Sequence, residues 1–120
     1  MMSYNKYGVS SKLDRTVHGR TFASKAEADR YLHLVMLERA GMIADLETQV
    51  EYLLVPAHVM ADGTKVRAVR YYADFRYLDL RTQRRIVEDV KGCKTQAYIV
   101  KRAVLLWRYP EINFVEITAR

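Results

Sequence analysis

Two runs rich in apolar and aromatic residues, Val69 to Leu80 and Arg85 to Lys91, each carry acids within them. Only the polar segment Arg81-Thr82-Gln83-Arg84 separates them. Runs of this length and composition, bounded by turn residues, read as strands. So short a connection makes them antiparallel neighbours. Period-2 alternation puts Tyr72, Asp74 and Arg76 on one side of the first, with Ala73, Phe75 and Tyr77 on the other. In the second, Val87, Asp89 and Lys91 oppose Ile86, Glu88 and Val90. The chain must therefore accommodate Asp74 and Asp89 near each other in a sheet. A carboxylate there costs free energy unless it is paired, hydrated or bound to a cation. Like charges within about 4–6 Å also raise each other's pKa. A divalent cation resolves that conflict, and oxygen-only ligands favour Mg²⁺ or Mn²⁺ over zinc. Lys91 lies about 6.5–7 Å from Asp89 along the same strand face. A lysine there can orient an attacking water and balance charge on a phosphate.

The rest of the chain supplies the flanking layers. Ser24 to Ala40 reads as a helix, with Ser24 as N-cap and Glu27 completing a Ser-x-x-Glu capping box. Tyr31, Leu34 and Val35 mark its apolar face, Leu32, Met36 and Leu37 widen it, and Gly41 ends it. Leu46 to Pro56 reads as a half-buried strand, with Leu46, Thr48, Val50 and Tyr52 alternating against Glu47, Gln49 and Glu51. Asp62-Gly63 predicts a type I′ hairpin turn, followed by Lys65, Arg67 and Arg70. Thr95 to Tyr109 predicts a second helix, capped by Thr95 and stopped by Pro110. Trp107 and the aliphatic residues of that helix are expected in the core. Ile112 to Ile117 predicts a last strand, reached by a parallel crossover. The expected fold is α/β, in the order helix, three-stranded meander, helix, strand.

The chain is 120 residues long, with a formal net charge of +6, and 50% of its residues are hydrophobic. That suits one globular domain over residues 21–120, preceded by a basic arm over residues 1–20. Within the arm, Thr16-Val17 and Arg20-Thr21-Phe22 can pair about a His18-Gly19 turn. No apolar run reaches the roughly 20 residues of a membrane span, and no secretory signal is evident. The single cysteine, Cys93, excludes an intramolecular disulfide, and no Cys/His cluster has zinc spacing. A reducing, cytoplasmic setting fits. The positive charge attracts polyanions, of which nucleic-acid backbones are the commonest.

Plainer roles exist for each residue. Asp89 and Lys91 on one strand face can form a surface ion pair worth roughly 0–1 kcal/mol. Glu88 becomes the inward acid if the strand register slips by one. Glu27 is explained by the capping box alone, Gln49 by its strand, and Cys93 and the scattered His18, His33 and His58 by ordinary surface positions. Against these stands the coincidence of an acid on the first helix, an acid on a strand and acid-x-Lys on the next strand, in a basic chain.

The pattern FxSKxEAxRY, YxADFxY, VEDVKG and TxxYxxKR, spanning Phe22 to the C-terminal region, resembles the PD-(D/E)xK nuclease superfamily. It is similar to small phage and prophage proteins catalogued as a domain of unknown function, which resemble endonuclease I-type enzymes and Holliday-junction resolvases. Ala73 stands where the superfamily motif has proline before its first acid. The resemblance implies a restriction-endonuclease-like core, a mixed sheet flanked by helices. It implies Mg²⁺-dependent hydrolysis of DNA phosphodiester bonds, with Mn²⁺ able to substitute. Branched DNA is the preferred substrate, cut by a homodimer in phage recombination or replication within a bacterial cytoplasm. Asp74, Asp89, the Val90 carbonyl and Glu27 are then expected to hold the metal, with Lys91 as the catalytic lysine. Gln49 and Thr95 are expected behind them, and Lys65, Arg67, Arg70, Lys101 and Arg102 on the nucleic acid. A non-catalytic basic DNA-binding module and a nuclease acting on single strands are the alternatives.

Overall fold

The computed structural model describes residues 11–118. Residues 1–10 of the expected basic arm lie outside the described residues. Residues 11–20 do not form an arm of irregular chain. A 3₁₀ turn, Leu13–Arg15, leads into a hairpin of β1 (Thr16–Val17) and β2 (Arg20–Thr21), paired Thr16 to Thr21 and Val17 to Arg20. This is the hairpin expected around His18-Gly19. It delivers Phe22, 6% exposed, into the core.

Helix α1 (Lys25–Arg39) starts where Ser24 accepts the Glu27 N–H at 3.1 Å. It ends in a Schellman motif: Gly41 at φ +76° donates to the Glu38 carbonyl, and Met42 donates to the Leu37 carbonyl. Nothing lies within 4 Å of a Cβ built on Gly41, so only backbone strain opposes a side chain there. Gly41→Val should cost about 1–2 kcal/mol, read as a lowered urea midpoint at unchanged slope. The helix buries Tyr31 and Leu34 as expected, and Ala28 with them, with Val35 and Leu37 packed beside them. Leu32 and Met36 are 41% and 60% exposed, so the apolar stripe is narrower than the sequence suggested.

Strands β3 (Ile43–Val55), β6 (Val69–Asp79), β7 (Arg84–Lys91) and β8 (Asn113–Thr118) form one mixed sheet in the order β3-β6-β7-β8. The first three pair antiparallel, and β7 and β8 pair parallel through helix α2 (Gln96–Arg108). The fold is therefore α/β with two helices on a mixed sheet, in the expected element order. Among the described residues no helix is long and apolar enough to cross a membrane. Between β3 and β6, β4 (His58–Val59) and β5 (Lys65–Val66) form a side hairpin. Its loop differs from the expected type I′ turn. Of Asp62 and Gly63 only Gly63 has positive φ, and Met60 and Thr64 bracket a three-residue loop. The Asp62 carboxylate accepts the Thr64 N–H at 2.9 Å, closing the loop from its side chain.

Two apolar clusters sandwich the sheet. One joins α1 to Phe22, Ile43, Phe75 and Tyr77; the other joins Val50, Tyr52, Leu54, Tyr71, Ala73 and Val87 to Tyr98 and Leu105 of α2. Strict alternation does not describe β3 or β6. Leu46 packs with the α1 cluster, whereas Val50 and Tyr52 belong to the α2 cluster, and likewise Ala73 and Phe75 separate. The change in β3 occurs where Gln49 takes φ +51°, following a register shift between Ala44 and Glu47 in which Asp45 takes φ +57°. In β7 the expected alternation holds: Val87 joins the α2 cluster, and Ile86 and Val90 pack against the α1 cluster.

Candidate active site

The β6–β7 ladder runs from Asp79↔Arg84 to Phe75↔Glu88 and goes no further. Beyond it the two acids hold the strands together through their side chains. Asp89 Oδ1 accepts the Asp74 N–H at 3.0 Å, and Asp74 Oδ2 accepts the Val90 N–H at 2.8 Å. Each carboxylate thus replaces a backbone acceptor where the strands splay apart. One oxygen of each remains for other work. Asp74 Oδ1 lies 3.5 Å from Gln49 Nε2. Asp89 Oδ2 is buried and has no hydrogen-bond partner. A buried orphan oxygen on an acid is costly unless something occupies the space beside it.

Glu27 reaches this place from the first turn of α1. Its N–H is capped by Ser24, but its carboxylate turns to the sheet, where Gln49 Nε2 donates to Oε1 at 3.1 Å. Glu27, Asp74 and Asp89 are 5%, 8% and 0% exposed. Burial first, and then the neighbouring Asp74 charge, push the Glu27 carboxyl up to about 7, against the pull of Lys91. Burial raises Asp74 as well, while the Val90 N–H and Lys91 hold it down. Burial pushes Asp89 up to about 6, opposed by the Asp74 N–H and Lys91. Lys91 is thus the cation whose charge all three acids feel. Its Nζ sits 4.6 Å from the centroid of the Tyr98 ring, a cation–π seat that fixes the ammonium.

Among the described residues no three Asp, Glu, His or Cys side chains converge closely enough to enclose a metal ion as they stand. The donor set nevertheless suits a hard divalent cation: carboxylate oxygens only, raised in pKa by burial, with one oxygen unpartnered.

Open clefts flank the acids. One, of about 570 Å³, has Glu27 and Gln49 in its wall and Arg20 and Thr21 at its rim. Another, of about 300 Å³, is lined by Lys91, Arg70, Lys101 and Tyr72. Of the residues expected on nucleic acid, Arg70 and Lys101 are therefore brought to Lys91, Arg70 while paired at the surface with Glu51 at 3.0 Å. Lys65 and Arg67 are exposed beside the β4–β5 hairpin and do not line that cleft. Arg102 is not free for a phosphate: it donates to Glu116 Oε2 at 2.7 Å. Thr95 accepts the Tyr98 N–H as the α2 cap, the role its sequence position predicted.

Glu88, the rival acid under a slipped register, faces the opposite layer. Arg30 donates to both its oxygens, at 2.8 and 2.6 Å, and the Tyr77 hydroxyl donates to it as well. The register is therefore the one that turns Asp89 inward. Sequence reasoning missed Tyr98 and Glu116 as parts of the site. Tyr98 stands under Lys91, and Glu116 on β8 accepts from Tyr98 and from Arg102 while pairing Lys94 at 2.7 Å. The spacing of Tyr98 and Arg102, four apart on a helix, was visible; their shared partner eighteen residues from Tyr98 was not.

Residues 4–119 match a family described as "Protein of unknown function (DUF1064)". No curated protein and no solved structure matches the chain.

Proposed function

The chain belongs to the DUF1064 family, and we propose that it is a divalent-metal-dependent endodeoxyribonuclease of the PD-(D/E)xK type with a restriction-endonuclease-like core. The observation that carries this reading is the run of three buried acids, Glu27 beside Asp74 and Asp74 bonded across to the Asp89 strand, all feeling the charge of Lys91, with the second oxygen of Asp89 left without a partner. The element order is the one expected of that superfamily's core. Asp74, Asp89, Glu27 and the Val90 carbonyl would hold Mg²⁺ or Mn²⁺. When bound, such a cation lowers the pKa of water and polarises a phosphoryl oxygen.

The chain's own groups do the rest. Gln49 bridges the Glu27 and Asp74 carboxylates, its Nε2 donating towards both, from a left-handed backbone conformation that costs of order 1–3 kcal/mol. Lys91, held over Tyr98, orients the attacking water and balances charge on the scissile phosphate. Arg70 and Lys101 on one side and Arg20 on the other give the phosphate backbone a path across the acids. Branched DNA, cut by a homodimer in phage recombination, is the substrate this reading prefers.

One observation favours a second reading. The carboxylate-to-backbone bonds of Asp74 and Asp89 give both acids a structural use, as in a non-catalytic DNA-binding module. A cleavage panel separates the two: four-way junction, flap, duplex and single strand, at fixed salt, with Mg²⁺ or Mn²⁺. Metal-dependent nicking by the wild-type protein, lost in Lys91→Ala while DNA binding persists, supports the nuclease. Binding of DNA with no cleavage of any substrate supports the accessory module. Cleavage confined to single strands moves the substrate class.

A further inference from the structure

The sequence placed Trp107 in the core, but its side chain is 79% exposed. It belongs to a stripe along the outer face of α2: Gln96, Ile99, Val100, Ala103, Leu106 and Trp107. Ile99, Val100 and Leu106 are 36%, 59% and 38% exposed. The spacing is that of a heptad seam, and at about 100° per residue the six positions span an arc of about 120°. α2 therefore has apolar residues on two sides. Tyr98 and Leu105 meet the sheet, and the stripe meets nothing among the described residues that would bury it.

We infer that this stripe is the contact face of an antiparallel, two-fold homodimer. No residue of the arc is charged, in a chain of net charge +6. A polyanion finds no cation there, and a second copy meets no like-charge repulsion. The pattern is also self-complementary. In an antiparallel pair centred on Ala103, Ile99 faces Leu106 of the partner, Val100 faces Trp107, and Ala103 faces itself. That is the reciprocity an isologous interface requires. The smallest side chain falls at the crossing, where helices approach most closely, and large apolar groups flank it. An exposed tryptophan among aliphatic residues is the residue type that most often anchors an interface. The stripe is about 20 Å long. Its area is well below the roughly 800 Å² per partner of a standard interface, so the dimer dissociates on dilution. This inference does not depend on the nuclease reading.

Trp107 is the only tryptophan, so its fluorescence reports on this face alone. Sedimentation of the full chain should show a monomer–dimer equilibrium, and indole emission should shift to the red on dilution over the same concentration range. Ala103→Glu sets two carboxylates against each other at the two-fold axis and should raise the dimer Kd by about a hundredfold, with an unchanged far-ultraviolet spectrum. In a Cys93→Ser background, Ala103→Cys should form an intermolecular disulfide under mild oxidation, whereas Lys101→Cys should not. A monomer at every concentration overturns the inference, whether its indole is solvated or shielded by a segment of the same chain. A dimer that survives Ala103→Glu and leaves Ala103→Cys unlinked also overturns it.

Discussion

Asp74→Asn should abolish Mg²⁺-dependent cleavage, by about a thousandfold or more, since losing an anionic ligand forfeits several kcal/mol of transition-state stabilisation. The same substitution should make the metal-free protein more stable. Asn Oδ1 can still accept the Val90 N–H, and its amide can donate towards Glu27, so the cross-strand bond survives while a buried charge disappears. The gain is of order 1 kcal/mol, about one pKa unit of repulsion relieved. The pH dependence follows. Glu27 is raised from 4.5 to about 7 and Asp89 from 3.8 to about 6, so the native state holds more protons than the unfolded chain between those values. The stability that these two acids contribute without divalent cations is therefore full below about pH 4 and is lost as pH rises through about 6 and 7. Thermal melts in chelator from pH 5 to 8 should show that decline in the wild type and a shallower one in Asp74→Asn. Full cleavage by the variant would remove Asp74 from the active site. A clear loss of stability would make it a structural partner of the strands instead.

Arg30→Met should be the most destabilising single change on the α1 face, costing about 3–5 kcal/mol. Glu88 is 1% exposed, and Arg30 is its only cationic partner among the described ion pairs, through a bidentate bond that spans α1 and β7. Removing the guanidinium leaves a buried carboxylate with only the Tyr77 hydroxyl. The Tyr77 hydroxyl is itself pushed above its ordinary pKa, first by burial and then by Glu88, so it stays a neutral donor and adds no positive charge beside the carboxylate. The triple variant Arg30→Met, Glu88→Met, Tyr77→Phe should recover most of the loss, because replacing every member of a buried polar network leaves nothing unsatisfied. Urea denaturation of the single and combined variants measures both effects. A loss below about 1 kcal/mol for Arg30→Met would rank this network with ordinary surface pairs. Cleavage by the folded triple variant should persist, since Glu88 faces away from Asp74 and Asp89.

Parts of the site were legible because strand periodicity is rigid. Asp89 and Lys91, two apart on β7, share a side whatever surrounds them, and the short turn at Arg81 to Arg84 forces β7 beside β6. Local signals around Glu27 read only as a cap, and it was the family resemblance that grouped it with Asp74 and Asp89. Its backbone N–H does bond Ser24, yet its carboxylate accepts from Gln49 on the sheet, so the structure shows only the serine half of the expected capping box. Gln49 was placed on a regular strand, and its left-handed backbone has no sequence signal, because glutamine rarely takes positive φ without tertiary compensation. That conformation is what turns Val50 and Tyr52 towards α2 after Leu46 has packed against α1.

The sequence by itself determined the order and ends of the elements, through caps at Ser24 and Thr95, stops at Gly41 and Pro110, and alternation in β7. These are local signals, read within a few residues of where they act. Only the tertiary structure decided which layer covers each face. It paired Arg30 with Glu88 fifty-eight residues away, freeing Asp89 for the site, and it left Trp107 outside. Periodicity states which side chains share a side. It does not state which side the rest of the chain will cover, because that depends on contacts between elements far apart in sequence.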